Sequence, residues 1–192
     1  MLVEYVHHPR RTGAVVSTSR RCAEAFVDRL GVQDARYVVE LGAGSGAITD
    51  ALARRMQPST RLLAVEISPV LAARMRADHA GDDVEVVCAS ASDLAALLDE
   101  RRFPAVDCVI SSLPWTLMPV SDQRRILQDI GTSITPTGCF ALLLTAHNSW
   151  TKSGRRFDDV LHEHFAYVRE DHLHWANLPP LRAYHCRSSP SE

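Results

Sequence analysis

The sequence predicts an α/β fold: a doubly wound, mostly parallel seven-stranded sheet with helices on both faces and an antiparallel C-terminal strand. Two observations carry this expectation. Short β-branched runs alternate with segments whose apolar residues recur at three- and four-residue spacing. A glycine-rich turn follows the first of these runs, and an acidic residue closes the second.

Taken in order, Ser17 or Thr18 caps a first helix reaching about Leu30, with Cys22, Phe26, Val27 and Leu30 on one side, and Gly31 stops it. The strands are Tyr37 to Leu41, Leu62 to Glu66, Val84 to Cys88, Val106 to Ile110 and Cys139 to Thr145. The first four read as buried and parallel. Between them, helical spacing covers Ala47 to Met56, Pro69 to His79 and Ser92 to Arg101. A helix from Gly154 to His164 then leads into a strand at Phe165 to Val168, and a last strand covers Arg182 to Arg187, which makes the end of the chain antiparallel.

A chain of 192 residues, 46% of them hydrophobic, supplies one substantial core. The expected organisation is a single domain over residues 1–187, with residues 1–31 as an N-terminal helix and lid segment and 188–192 as a loose tail. The 21 basic residues against 23 acidic ones give a net charge of -2, so no global positive field points to nucleic acid. Five dispersed cysteines without a CxxC pair suit reduced, mostly buried thiols and a cytoplasmic location. Neither a basic leader with a long apolar run nor an 18-residue apolar stretch is present, which predicts neither an export signal nor a membrane span.

Glu40-Leu-Gly-Ala-Gly-Ser-Gly46 sits where the first strand must turn into a helix. Gly42, Gly44 and Gly46 let the backbone turn tightly and approach a ligand, and Ala43 between them is small. Glu66 follows Gly46 by 20 residues and closes the second strand, where a carboxylate can accept from both hydroxyls of a ribose. Dinucleotide sites use Gly-x-Gly-x-x-Gly and put pyrophosphate on the helix N-terminus. Here the register is Gly-x-Gly-x-Gly with Glu40 two places earlier. That carboxylate repels pyrophosphate and can hold the ammonium of a methionine moiety, so the expected cofactor is S-adenosyl-L-methionine. Ile67, Ser90, Ala91, Ser92 and Asp93 lie at the ends of the second and third strands, where adenine contacts belong. Asp93 has two readings, acceptor for the adenine amino group or cap for the following helix with Ser92.

If the first and fourth strands are neighbours, the glycine turn faces Ser111-Ser-Leu-Pro-Trp115. Ser111 is expected at the cofactor. Substrate orientation falls to the Ser112 hydroxyl, the Leu113 carbonyl, Pro114 and Trp115, whose ring can face a cationic amine or, alternatively, pack beneath a loop. Ser112-Leu-Pro-Trp115 resembles the Asn-Leu-Pro-Tyr type of motif of ribosomal RNA adenine dimethyltransferases and the Leu-Pro motif of the bacterial phospholipid N-methyltransferases. Pro9 to Arg20 and Asn177 to Tyr184 are similar to segments of the second family, and the likeness covers residues 5 to 187. It implies a Rossmann-like methyltransferase acting on an amine of a small molecule or phospholipid headgroup such as phosphatidylethanolamine, with peripheral membrane contact. Ser112 stands where the RNA enzymes carry asparagine, and Ser90 where both families often carry aspartate.

Further substrate candidates are Tyr5, His8 and Arg11 in the N-terminal segment, and His147 and Trp150 after the fifth strand. Arg10, Arg11, Arg20 and Arg21 form the one basic concentration suited to a phosphate. The nine histidines lack a third ligand at convincing spacing, and no metal is expected. The competing readings are an RNA adenine methyltransferase and a non-catalytic nucleoside-binding module; nucleic acid is disfavoured by the charge balance.

Overall fold

Side chains of a strand alternate between faces, so a run that is apolar throughout must be covered on both sides. The computed structural model, which describes residues 18–81 and 83–188, covers Tyr37–Leu41, Arg61–Glu66 and Val106–Ser111 in this way, whereas Val84–Cys88, expected to be buried, is an edge strand with Glu85 and Cys88 exposed. Its elements are α1 (Arg20–Val27), β1 (Tyr37–Leu41), α2 (Ala47–Ala53), β2 (Arg61–Glu66), α3 (Pro69–Asp78), β3 (Val84–Cys88), α4 (Leu94–Glu100), β4 (Val106–Ser111), α5 (Val120–Ser133), β5 (Ile134–Thr145), α6 (Lys152–His164), β6 (Tyr167–His174) and β7 (Leu181–Arg187). The sheet has seven strands in the order β3-β2-β1-β4-β5-β7-β6. β7 is antiparallel to both of its neighbours, and the other pairings are parallel.

Alternation splits β1 cleanly. Val39 and Leu41 join Leu63, Val65 and Val109 under α4, α5 and α6. Val38 joins Leu62, Cys108 and Ile110 under Phe26 and Val27 of α1 and Ile48 and Leu52 of α2. Glu40 shares the parity of Val38, which directs its carboxylate toward α2 rather than into the larger core.

Local details depart from the sequence expectation where tertiary contacts decide. α1 is capped by Ser19, not Ser17 or Thr18: its hydroxyl accepts from the Cys22 N–H at 3.2 Å and donates to the Ala176 carbonyl at 2.8 Å. The Ser19 N–H is taken by Asn177 Oδ1 at 2.7 Å, so the cap is chosen by the β6–β7 turn. β6 begins at Tyr167 because Phe165 ends α6 and stacks on Phe140 with ring centroids 5.4 Å apart. α5 is absent from the sequence expectation. Its buried side, Gln123, Ile126, Leu127 and Ile130, follows helical spacing but carries an interior glutamine, which weakens the apolar signature.

Ile126 is fully buried between α5 and the sheet. Ile126→Ala is expected to lower unfolding free energy by about 2 to 5 kcal/mol, measured by urea denaturation.

Candidate active site

In an open parallel sheet a crevice opens at the carboxyl ends of the strands where their order reverses, because the chain leaves neighbouring strands toward opposite faces. Here the reversal lies between β1 and β4, with Leu41 opposite Ser111. The turn after β1 and the turn after β4 are bonded across this junction. The Ser112 N–H donates to the Leu41 carbonyl at 3.1 Å, and the Ser112 hydroxyl donates to the Gly42 carbonyl at 2.6 Å. On the other side, the Gly42 and Ala43 N–H groups donate to the Val65 carbonyl at 2.8 and 3.2 Å.

Gly42 is required twice over. Its φ of 79° suits glycine, and a Cβ there would lie 3.0 Å from Leu113 Cδ2. Gly46, at φ 85°, starts α2. Ala43 is buried with Ala64, Ala72 and Met75.

The two carboxylates beside this turn are held differently. Glu66 accepts from the Gly44 N–H through Oε2 and from the Ser68 N–H through Oε1, both at 2.8 Å. Two backbone donors fix its orientation and leave further lone pairs on each oxygen for hydroxyl donors. Glu40 is fully buried. Thr49, in the first turn of α2, donates to its Oε2 at 2.6 Å, while its Oε1 has no partner. Burial, with lesser repulsion from Glu66 and Asp50, pushes the Glu40 carboxyl up to about 8 against the pull of the Thr49 hydrogen bond. An unpaired buried acceptor next to a glycine turn fits a cationic ligand group, as a methionine ammonium requires. Thr49 was not singled out from the sequence; its position three residues after Gly46 was the available signal.

At the end of β3, Ser90 and Asp93 form a reciprocal cap. The Ser90 hydroxyl accepts from the Ser92 N–H at 3.2 Å, and Asp93 Oδ2 accepts from the Ser90 N–H at 3.3 Å. The capping reading of Asp93 is thus the observed one, with Ser90 rather than Ser92 as its companion. Ala91 is buried under α4, and Ile67 is half-buried with its carbonyl facing the Cys88 thiol at 3.8 Å.

The segment after β4 corrects two expectations. Ser111 does not face a ligand: it is fully buried, and its hydroxyl accepts from the Leu113 N–H at 3.2 Å and the Trp115 indole N–H at 3.0 Å. Trp115 is likewise in the core, stacked on Phe157 at 5.2 Å and edge-on to Phe140 at 6.0 Å. Burying the indole satisfies its apolar area, and Ser111 supplies the acceptor that its N–H needs. Its ring therefore cannot cradle an amine in this conformation. The Leu113 carbonyl accepts from the Trp115 N–H at 2.8 Å, a tight turn around Pro114, and keeps a second lone pair. Gln123 of α5, also missed from sequence, donates to the Trp115 and Met118 carbonyls at 2.6 and 3.2 Å and fixes this turn from below.

His147 and Trp150 lie in a helical turn after β5, Ala146–Trp150, and both are exposed. Tyr5, His8, Arg10 and Arg11 lie outside the described residues. Arg20 is paired with Glu24 at 3.0 Å. Among the described residues no group of three His, Cys, Asp or Glu could hold a metal, and no helix is long and apolar enough to cross a membrane.

The glycine turn at the reversal point, the strand-end Glu66 and the buried Glu40 with one bare oxygen suit a nucleoside-binding α/β protein. The family described as "Methyltransferase domain" matches residues 38–138. The ornithine lipid N-methyltransferase of Singulisphaera acidiphila is 30% identical over 187 residues, covering 97% of this chain and 93% of that protein. The ribosomal RNA small subunit methyltransferase A of Koribacter versatilis is 43% identical over 85 residues, 43% of this chain and 29% of that protein. Among solved structures, the O-methyltransferase from Bacillus cereus in complex with SAH superimposes with a TM-score of 0.71 at 15% identity, covering 97% of this chain and 90% of that one. The chain belongs to the class I S-adenosylmethionine-dependent methyltransferases.

Two measurements follow from the carboxylates. Glu66→Ala is expected to weaken S-adenosylhomocysteine binding by roughly tenfold or more in calorimetry, the scale of a lost hydrogen bond to a charged group; unchanged affinity would place the ribose elsewhere. For Glu40 the folded protein without ligand keeps a proton that the unfolded chain has already lost above about pH 4.3. Its stability therefore falls as pH rises from there toward about 8. An ammonium beside Glu40 reverses the preference, so S-adenosylmethionine binding at pH 7 is expected to release a proton. Titrations in buffers of different ionisation enthalpy read that proton directly, and Glu40→Gln should abolish it.

Proposed function

We propose that the chain is an N-methyltransferase whose acceptor is an amine on a lipid headgroup, with residues 1–187 forming one catalytic domain. The observation that carries this reading is the extent of the two likenesses. The lipid N-methyltransferase matches along nearly its whole length, whereas the ribosomal RNA enzyme matches less than half of this chain. A match of 85 residues is short enough to be one half of the fold, whereas one of 187 residues takes in the acceptor side as well.

S-adenosylmethionine supplies an electrophilic methyl group on a sulfonium. The residues of the chain hold and orient. Glu40, kept in place by Thr49, would take the methionine ammonium, and Glu66, oriented by the Gly44 N–H, would accept from the ribose hydroxyls. Ile67 and the Ser90 to Asp93 turn, with Ala91 buried within it, would border the adenine. Ser112 and the remaining lone pair of the Leu113 carbonyl stand at the crevice mouth, where an amine N–H can donate and its lone pair be aimed at the methyl group. The amine must arrive without its proton. Beyond that the reaction needs alignment and exclusion of water rather than a nucleophilic side chain, and alignment is worth about 7 kcal/mol or more.

Mass spectrometry of products from ornithine lipids, phosphatidylethanolamine, small amines and RNA is expected to show methyl addition to an aminolipid. Methylation confined to RNA would overturn the acceptor class. Ser112→Ala removes the bond to Gly42, about 1 kcal/mol, and is expected to lower kcat/KM for the lipid several-fold with a smaller change in cofactor affinity.

A further inference from the structure

Folding buries large apolar side chains, and those left outside matter when they gather. Six large hydrophobic residues are exposed among the described residues: Val70, Leu117, Trp150, Tyr167, Trp175 and Leu178. All but Tyr167 lie at one edge of the sheet. Val70 follows β2, Leu117 follows β4, Trp150 follows β5, and Trp175 and Leu178 form the turn between β6 and β7. β6 runs in the same sense as β5, because each is antiparallel to β7. This edge therefore collects the carboxyl ends of the parallel strands, the same edge as the glycine turn and Ser112. Leu178 is the most exposed of them at 92%, followed by Val70 at 76%, Trp175 at 75% and Trp150 at 73%.

Hydrogen bonds join these turns. The Ala146 N–H donates to the Pro180 carbonyl at 2.9 Å, linking the start of the Trp150 turn to the Trp175–Leu178 turn. Ser19 ties the head of α1 to Ala176 and Asn177. Cations accompany them. Lys152, Arg155 and Arg156 are exposed in the opening turns of α6, directly after Trp150, and its first turn holds no acid. The acids of that helix begin at Asp158. Arg20 and Arg21 head α1, with Glu24 pairing Arg20. Arg155 donates to the Trp150 carbonyl at 2.9 Å and so steadies the turn; a helix N-terminus disfavours positive charge, so helix stability does not explain Lys152 and Arg156 there. In a chain of net charge -2, their gathering beside exposed tryptophans is local.

We propose that this rim docks on an anionic lipid bilayer, with Trp150, Trp175 and Leu178 entering the headgroup region and Lys152, Arg155, Arg156 and Arg21 meeting lipid phosphates. Tryptophan with neighbouring cations suits an interface that is apolar below and wet above. The aliphatic Leu178, Leu117 and Val70 favour a bilayer over RNA, since they offer no ring for base stacking. Docking by this edge turns the crevice toward the membrane. The proposal takes its purpose from the lipid-acceptor reading, but its test needs no turnover.

The full-length protein is mixed with vesicles of phosphatidylglycerol and phosphatidylcholine that contain no aminolipid. Trp150→Phe and Trp175→Phe each leave one exposed tryptophan beside the buried Trp115. The expected result is acrylamide access to that tryptophan in buffer, then a blue shift and quenching by brominated acyl chains when vesicles are added. Trp175→Ala with Leu178→Ala, and separately Lys152→Glu with Arg156→Glu, should each cut vesicle partitioning roughly tenfold, with circular dichroism unchanged. Absence of brominated-chain quenching overturns the proposal. So does shielding of both tryptophans in buffer: in a dimer it assigns the rim to a second copy, and in a monomer to residues 1–17. Charge-dependent binding of single-stranded RNA without vesicle binding overturns it in favour of RNA. An enzyme that docks yet methylates no aminolipid would sink the acceptor reading and leave the docking intact.

Discussion

The site depends on the pairing of β1 with β4. Each strand ends by handing its last polar group to the other side: the Leu41 carbonyl receives the Ser112 N–H, and the Gly42 carbonyl receives the Ser112 hydroxyl. From this seam the chain departs in opposite directions, through Gly46 into α2 on one face and through the Pro114 turn into α5 on the other. The crevice is what remains between the diverging turns. Because its floor is backbone held by backbone, small side chains suffice to line it, and the few charged groups present stand out chemically.

Glu40 shows how strand parity becomes chemistry. One residue earlier or later along β1, the same carboxylate would lie in the larger core among leucines and phenylalanines. At position 40 it faces α2, where Thr49 can reach one oxygen and the other is left bare. A buried acid with one unsatisfied oxygen is costly to the fold by itself. That cost accords with the role proposed for Glu40 in receiving a cationic group, since binding sites are the expected place for a local rule to be broken.

Much of this arrangement was legible in the residues. The interior strands between Tyr37 and Thr145 announce themselves because parallel strands covered on both faces must be apolar; Val84–Cys88 is legible by its β-branched residues although it lies exposed at the edge, and Glu66 was identified by its distance from the glycines. What escaped was set by contacts distant in sequence. Ser19 rather than its neighbours caps α1 because Asn177 reaches back to it. The helix Val120–Ser133 hides behind Gln123, whose polarity interrupts the apolar stripe yet serves the Trp115 and Met118 carbonyls from inside. Trp115 misled for a related reason: an aromatic residue at the mouth of a site invites a ligand role, and only the facing Phe140 and Phe157, contributed by β5 and α6, show that it belongs to the core.

The contact between Gly42 and Leu113 has a consequence for how this sequence can drift. The two positions lie far apart in the chain but compete for one volume, with a Cβ on residue 42 reaching 3.0 Å from the Leu113 side chain. Space alone would allow compensation, a larger residue at 42 answered by a smaller one at 113. The left-handed backbone at 42 forbids that exchange, since trimming Leu113 relieves the crowding but not the φ of 79°. Variation among descendants is therefore channelled to position 113, which can change shape while its partner stays glycine. The wall of the crevice is adjustable there without disturbing the glycine turn.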